Sequence, residues 1–131
     1  MNTPWGRSDF QEKKADGITF YGTPRHGGIK LSEERNAQVP QYLKDAGFGG
    51  KPESGWYEED VDWGIVALVF PEAFTPEEIE TARGIFGYFK PDALARWDRE
   101  RDFQIELRRQ KEAGFVPESS PAILLSKLGK N

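Results

Sequence analysis

One histidine and a run of acids are the residues of this chain whose types could do chemistry. His26 is the only histidine and sits in TPRHGG at 23–28; Glu58, Glu59 and Asp60 follow in WYEED at 56–60. A histidine beside a carboxylate can move a proton near neutral pH, and the flanking glycines would let a ligand approach the backbone. One expectation is therefore a small hydrolase-like enzyme built on His26 with Glu58, Glu59 or Asp60. Against it, no nucleophile stands at a matching spacing. The competing expectation makes His26 a loop residue and the acids the start of a helix.

Metal and cofactor chemistry are not expected. One histidine and no cysteine leave none of the common zinc ligand sets, and the acids lack the alternate spacing of a calcium loop. The glycine stretches GFGG and HGG lack the lysine and the strand-loop-helix frame of a phosphate loop. The absence of cysteine fits a reducing cytosol.

Charge is distributed unevenly. Residues 56–80 contain eight acids and no base, residues 1–55 carry a net +1 and residues 81–131 a net +3, within an overall net charge of -4. Phosphate contact needs an excess of Lys and Arg on one surface, so direct nucleic-acid binding is not expected. The acidic patch Glu58, Glu59, Asp60 and Asp62 would instead suit the basic groove of a partner protein. No apolar run of about 18 residues exists to span a membrane. MNTPWGRSDF lacks the charged and apolar regions of a signal peptide, so a cytoplasmic location is expected.

The elements that must position these residues follow from local pattern. The length of 131 residues fits one domain. GITFYGT at 17–23 is β-branched and aromatic, GGIKL at 27–31 is a plausible partner, and the Pro/Gly-rich loop between them predicts a hairpin with His26 in it. FQEKKA at 10–15 is a candidate third strand. From residue 32 the chain reads mainly helical. Ser32 is an N-cap, Pro40 a break and Gly47 a stop. Residues 58–70, EEDVDWGIVALVF, are acidic at one end and apolar all round after it, which predicts a buried helix; a buried strand over 65–70 is the alternative. Thr75, Pro76 and Glu78 spell a capping box, and Ile79, Ala82, Ile85, Phe86 and Phe89 form a stripe behind it. A long helix follows over 91–113, and SSPAILLSKL at 119–128 predicts a short terminal helix or docking segment. The fold class is α+β: a small N-terminal antiparallel sheet (region 1–31) and a mostly helical remainder (32–131).

On the long helix, at 100° per residue, Leu94, Trp97, Arg101 and Ile105 fall on one side and Phe103 and Leu107 nearly opposite. Two opposed patches predict the domain core on one side and a partner on the other, with Phe103 and Leu107 as anchors rimmed by Arg96 and Glu100. A bend that turns both patches to one core is the alternative.

Four stretches, TPWG (3–6), TPRHGG (23–28), LSEERN (31–36) and WYEEDVDW (56–63), together resemble a family of short uncharacterised proteins carried by phages, plasmids and integrative elements of proteobacteria. The resemblance covers about the first 75 residues; Arg25 stands where the family has a small residue and Val61 where it often has cysteine. It implies an accessory protein of mobile DNA in a bacterial host's cytoplasm, with no activity to carry over. Such proteins often counter host defence, as anti-CRISPR or antirestriction inhibitors do. The expectation is an interaction protein that binds a host or phage protein, or a second copy of itself; the enzyme is the alternative.

Overall fold

The computed structural model describes residues 1–114, and the terminal segment read over 119–128 lies outside them. The chain divides into two compact units, Met1–Ala95 and a second beginning at Arg96.

The first unit is built on a four-stranded antiparallel sheet in the order β3-β4-β5-β6, formed by β3 (Phe10–Ala15), β4 (Ile18–Gly22), β5 (Gly27–Leu31) and β6 (Trp56–Glu58). A short hairpin of β1 (Asn2–Thr3) and β2 (Gly6–Arg7) precedes it. The hairpin expected around TPRHGG forms: Phe20 pairs with Ile29 and Gly22 with Gly27, leaving residues 23–26 as its loop. β3 also forms, pairing Phe10 with Gly22, with an irregularity between Lys13 and Ala15. Asp16 and Gly17 turn the chain between β3 and β4. Gly17 takes φ 79° and lies so close to Ser32 that a Cβ would fall 2.6 Å from its Oγ.

Strand alternation sorts the side chains onto two faces. Ile18, Ile29, Leu31 and Tyr57 are buried on one face, against helices. These helices are α1 (Glu33–Asn36), α2 (Gln41–Asp45), α3 (Trp63–Val69) and α4 (Pro76–Phe89). Ser32 caps α1 by accepting from the Arg35 N–H, and Pro40 separates α1 from α2. α3 supplies Ile65, Val66 and Leu68 to the core, and α4 supplies Ala82 and Phe86. The two helices approach closely at Gly64, where a Cβ would sit 3.1 Å from Phe86 Cβ.

The helix expected over 58–70 is corrected. Residues 56–58 are strand β6, residues 59–62 are a turn, and the helix starts only at Trp63. Pairing with β5, which matches Ile29 with Tyr57 and Lys30 with Trp56, gives this backbone its hydrogen bonds and takes it from the helix. Trp63, expected in the core, is half-buried. The capping box is formed in full: Glu78 N–H donates to Thr75 Oγ1 and Thr75 N–H donates to Glu78 Oε1. The stripe behind it ends early, since Phe89 is 47% exposed.

The long helix α5 is Pro91–Glu112, and Gly114 follows it at φ 84°. Among the described residues no helix is long and apolar enough to cross a membrane.

Candidate functional site: the acidic turn and the cleft beside it

The run WYEEDVDW is split by the alternation that builds it. Glu58 is the last residue of β6, 5% exposed, and its carboxylate folds forward over the turn. It accepts the N–H groups of Asp60 (2.9 Å), Val61 (2.5 Å) and Asp62 (2.9 Å). Asp62, fully buried, does the same for the glycine loop: Phe48 (2.6 Å), Gly49 (3.2 Å) and Gly50 (2.8 Å) all donate to it. Three successive N–H groups make an anion-binding concavity, so GFGG does hold an anion, and the anion is the chain's own carboxylate. Burial pushes the Asp62 carboxyl above its ordinary range; the three N–H groups pull it back, and the Glu58 charge adds to the rise.

The four acids therefore do not make one exposed patch, which corrects that expectation. Glu58 and Asp62 are buried braces, Glu59 is half-buried and Asp60 is exposed. The same framework holds Tyr57. Its hydroxyl donates to Asn36 Oδ1 at 2.6 Å, while Asn36 Nδ2 donates to the Pro52 carbonyl at 2.8 Å. Burial, then the charges of Glu53 and Asp62, push the Tyr57 phenol far above its ordinary range.

His26 does meet one of its expected partners. The Glu59 N–H donates to the Gly27 carbonyl (3.0 Å), which sets Glu59 beside the hairpin loop, and His26 Nδ1 lies 3.6 Å from Glu59 Oε1. Gly27 has no room for a side chain there, since a Cβ would fall 2.8 Å from Phe20 Cζ and 3.1 Å from Glu59 Oε2. The nearby hydroxyl is committed to the loop. Thr23 Oγ1 donates to the His26 carbonyl (2.5 Å) and accepts the His26 N–H (3.0 Å). Glu58 does not join the pair, because its oxygens are turned to residues 60–62. Among the described residues no three His, Asp or Glu side chains are grouped to hold a metal ion.

Glu59 also faces a cleft of about 290 Å³ on the helix side of the sheet. Phe10, Glu12 and Lys14 of β3, Phe20 of β4 and Ile29 of β5 line it from below, and Trp63 of α3, Glu78 of α4 and Phe74 of the connection between them close it from above. Trp63 and Phe74 stand 6.0 Å apart between ring centroids. Lys14 Nζ bridges Glu12 (2.9 Å) and Glu78 (3.6 Å). The bond from Glu12 raises the Lys14 ammonium, and Glu78 adds to it. The Thr75 N–H holds the Glu78 carboxyl below its ordinary range, with Lys14 adding to that. Sequence reasoning missed this cleft. The signal available was the period of two in FQEKKA, which puts Phe10, Glu12 and Lys14 on one face.

On the opposite face of the sheet three of the sequence motifs meet. Trp5, at the tip of the β1-β2 hairpin, packs on Gly28 and stands edge-on to Trp56 at 5.8 Å; Tyr21 lies 5.6 Å from Trp56. TPWG, HGG and WYEED are thus brought together by packing.

A family model described as a domain of unknown function, DUF7007, matches residues 1–117. The chain belongs to this family. No curated protein and no solved structure matches it. The DUF7007 match takes in the whole of the first unit and α5. On α5 the expected division into two faces is not what is found. Ile105, placed on the core side, is 54% exposed, while Phe103 and Leu107 are half-buried. No residue of α5 is fully buried, and Arg96 Nε donates to Glu100 Oε1 at 3.0 Å.

Proposed function

We propose that this DUF7007 chain is a binding protein that engages a partner protein through the cleft of its first unit. The observation that carries the reading is how the polar groups are used. Two of the four clustered acids and the loop hydroxyl spend their hydrogen bonds on backbone, whereas the cleft presents aromatic walls and, clear of the Lys14 bridge between Glu12 and Glu78, the Glu59 carboxylate. Interface centres favour aromatic side chains with a polar rim. Phe103 and Leu107, the anchors expected on α5, are half-buried, so the reading rests on the cleft rather than on that helix. The resemblance in TPWG, TPRHGG, LSEERN and WYEEDVDW supports the setting we infer: an accessory protein of a phage or plasmid acting on a host or phage protein in a bacterial cytoplasm, of the anti-defence kind.

Photocrosslinking tests this. A benzoylphenylalanine in place of Phe10, at the mouth of the cleft, should give one discrete adduct with a partner protein in host cells, and Trp63→Ala should remove it. A chain that melts like the parent and gives no adduct would sink the reading. The 3.6 Å approach of His26 to Glu59 favours a hydrolase as the second reading. It predicts that His26→Ala abolishes the protein's effect on its host while leaving the adduct in place; on the binding reading both persist.

A further inference from the structure

The cleft's chemistry restricts what can enter it. Small-molecule and cofactor sites commonly offer roughly 300–1,000 Å³. At about 290 Å³ this cleft is at the lower limit and suits one side chain. Its walls are aromatic, from Phe20, Trp63 and Phe74, and three carboxylates stand among them, Glu12, Glu59 and Glu78, against the single base Lys14. Lys14 is already shared between Glu12 and Glu78, so among the described residues Glu59 faces the cleft with His26 as its one ion-pair partner. An acidic occupant would meet like charge. An apolar occupant would strip water from carboxylates and return nothing to them. A long basic side chain satisfies both features, because its methylene stem lies on apolar surface while its charged head reaches the rim.

The same pairing occurs three times among the described residues. Lys30 lies over Trp56 at 5.6 Å, Arg35 over Phe70 at 4.9 Å and Lys90 over Phe48 at 5.6 Å. A cation near an aromatic face is attracted by the ring quadrupole. Arginine fits better than lysine, because its planar fork can serve a carboxylate with two parallel bonds while its face stacks on a ring.

We propose that the occupant of this cleft is a basic side chain of the partner protein, arginine in the first place. The proposal rests on the binding reading above and assigns the chemistry of the partner.

The test pans a random dodecapeptide phage library on the immobilised full chain. Clones that shift the amide resonances of Phe20, Ile29 and Trp63 are retained as cleft binders. These peptides should share an arginine or lysine, and replacing it with norleucine should weaken binding about tenfold or more. The double variant Glu12→Gln, Glu59→Gln should weaken the parent peptide by a similar factor. That variant should add little once the peptide's base is gone, and its melting temperature should match the parent's. Cleft binders that keep their affinity without a base, or that bind the double variant as well as the parent, would overturn the proposal and leave the binding reading standing. A library that yields no clone acting on those amides would overturn both.

Discussion

The turn after β6 and the helix α5 are both rich in acids, and they use them in opposite ways. In the turn, Glu58 and Asp62 are buried and accept six backbone N–H groups between them. On α5, Glu100 is exposed and Glu106 half-buried, and they pair with Arg96 and Arg109 on the same helix, at 3.0 and 2.8 Å, with side chains that water still reaches. A buried acceptor is worth what its donors would lose without it, whereas an exposed ion pair exchanges one hydrated state for another. Residue type is thus a poor guide to role. What separates the two regions is whether water can replace the partner.

The largest effect should come from Asp62→Ala. It removes the acceptor of three successive N–H groups, although those of the exposed Phe48 and Gly49 can partly turn to water. A loss of about 2–4 kcal/mol is expected in urea unfolding. A loss below about 1 kcal/mol would put the turn and the helix in the same class.

Gly28→Ala should cost about 1–3 kcal/mol through overpacking. The new methyl would run into the Trp5 ring and lie 2.6 Å from the Tyr57 carbonyl oxygen. Pairing it with Trp5→Ala sharpens the comparison. Relief of part of the cost in the double variant would show that the motifs are coupled by packing. Strict additivity would show that they are not.

Two acids of the first unit should titrate with opposite signs. Asp62 is raised from its ordinary value of 3.8, so its contribution to stability is greatest below that pH and falls as pH rises towards the native value. Glu78 is lowered from 4.5, so its contribution is present above that pH and is lost as pH falls through the native value. Unfolding measured between about pH 3 and 6 should show the parent's advantage over Asp62→Asn shrinking as pH rises, and its advantage over Glu78→Gln growing. Parallel trends would contradict the burial assigned to Asp62.

The smallest effect belongs to Glu106→Ala. Arg109 is exposed and the Glu106 side chain is 44% exposed, and although their bond lowers the one carboxyl and raises the other group, water screens it. The melting temperature should not move measurably. A drop like that of Asp62→Ala would mean that α5 leans on this pair as the turn leans on its carboxylates.

Much of the frame was legible in the chain because it depends on neighbours in sequence. The hairpin around residues 23–26, the Ser32 cap, the Thr75 capping box and the start of α5 at Pro91 are local matters of turn chemistry and capping. The α+β class follows from the order of those signals. Residues 56–63 misled because acids before an apolar run are the local signature of a helix start, and only pairing with β5 decided for a strand and a turn.

The site was less legible. The sequence brought His26 and the acids to attention, and the fold joined His26 to Glu59 alone. It turned Glu58 and Asp62 inward, because their N–H donors come from a turn and a glycine loop whose closeness no local pattern states. The cleft is wholly a tertiary product, made by β3, β4 and β5 with Trp63, Phe74 and Glu78. Composition determined that this chain has no thiol and only one histidine for chemistry. Which carboxylates remain available for a partner was decided by burial, since a carboxylate enclosed with backbone donors is spent on the fold and one left beside water is not.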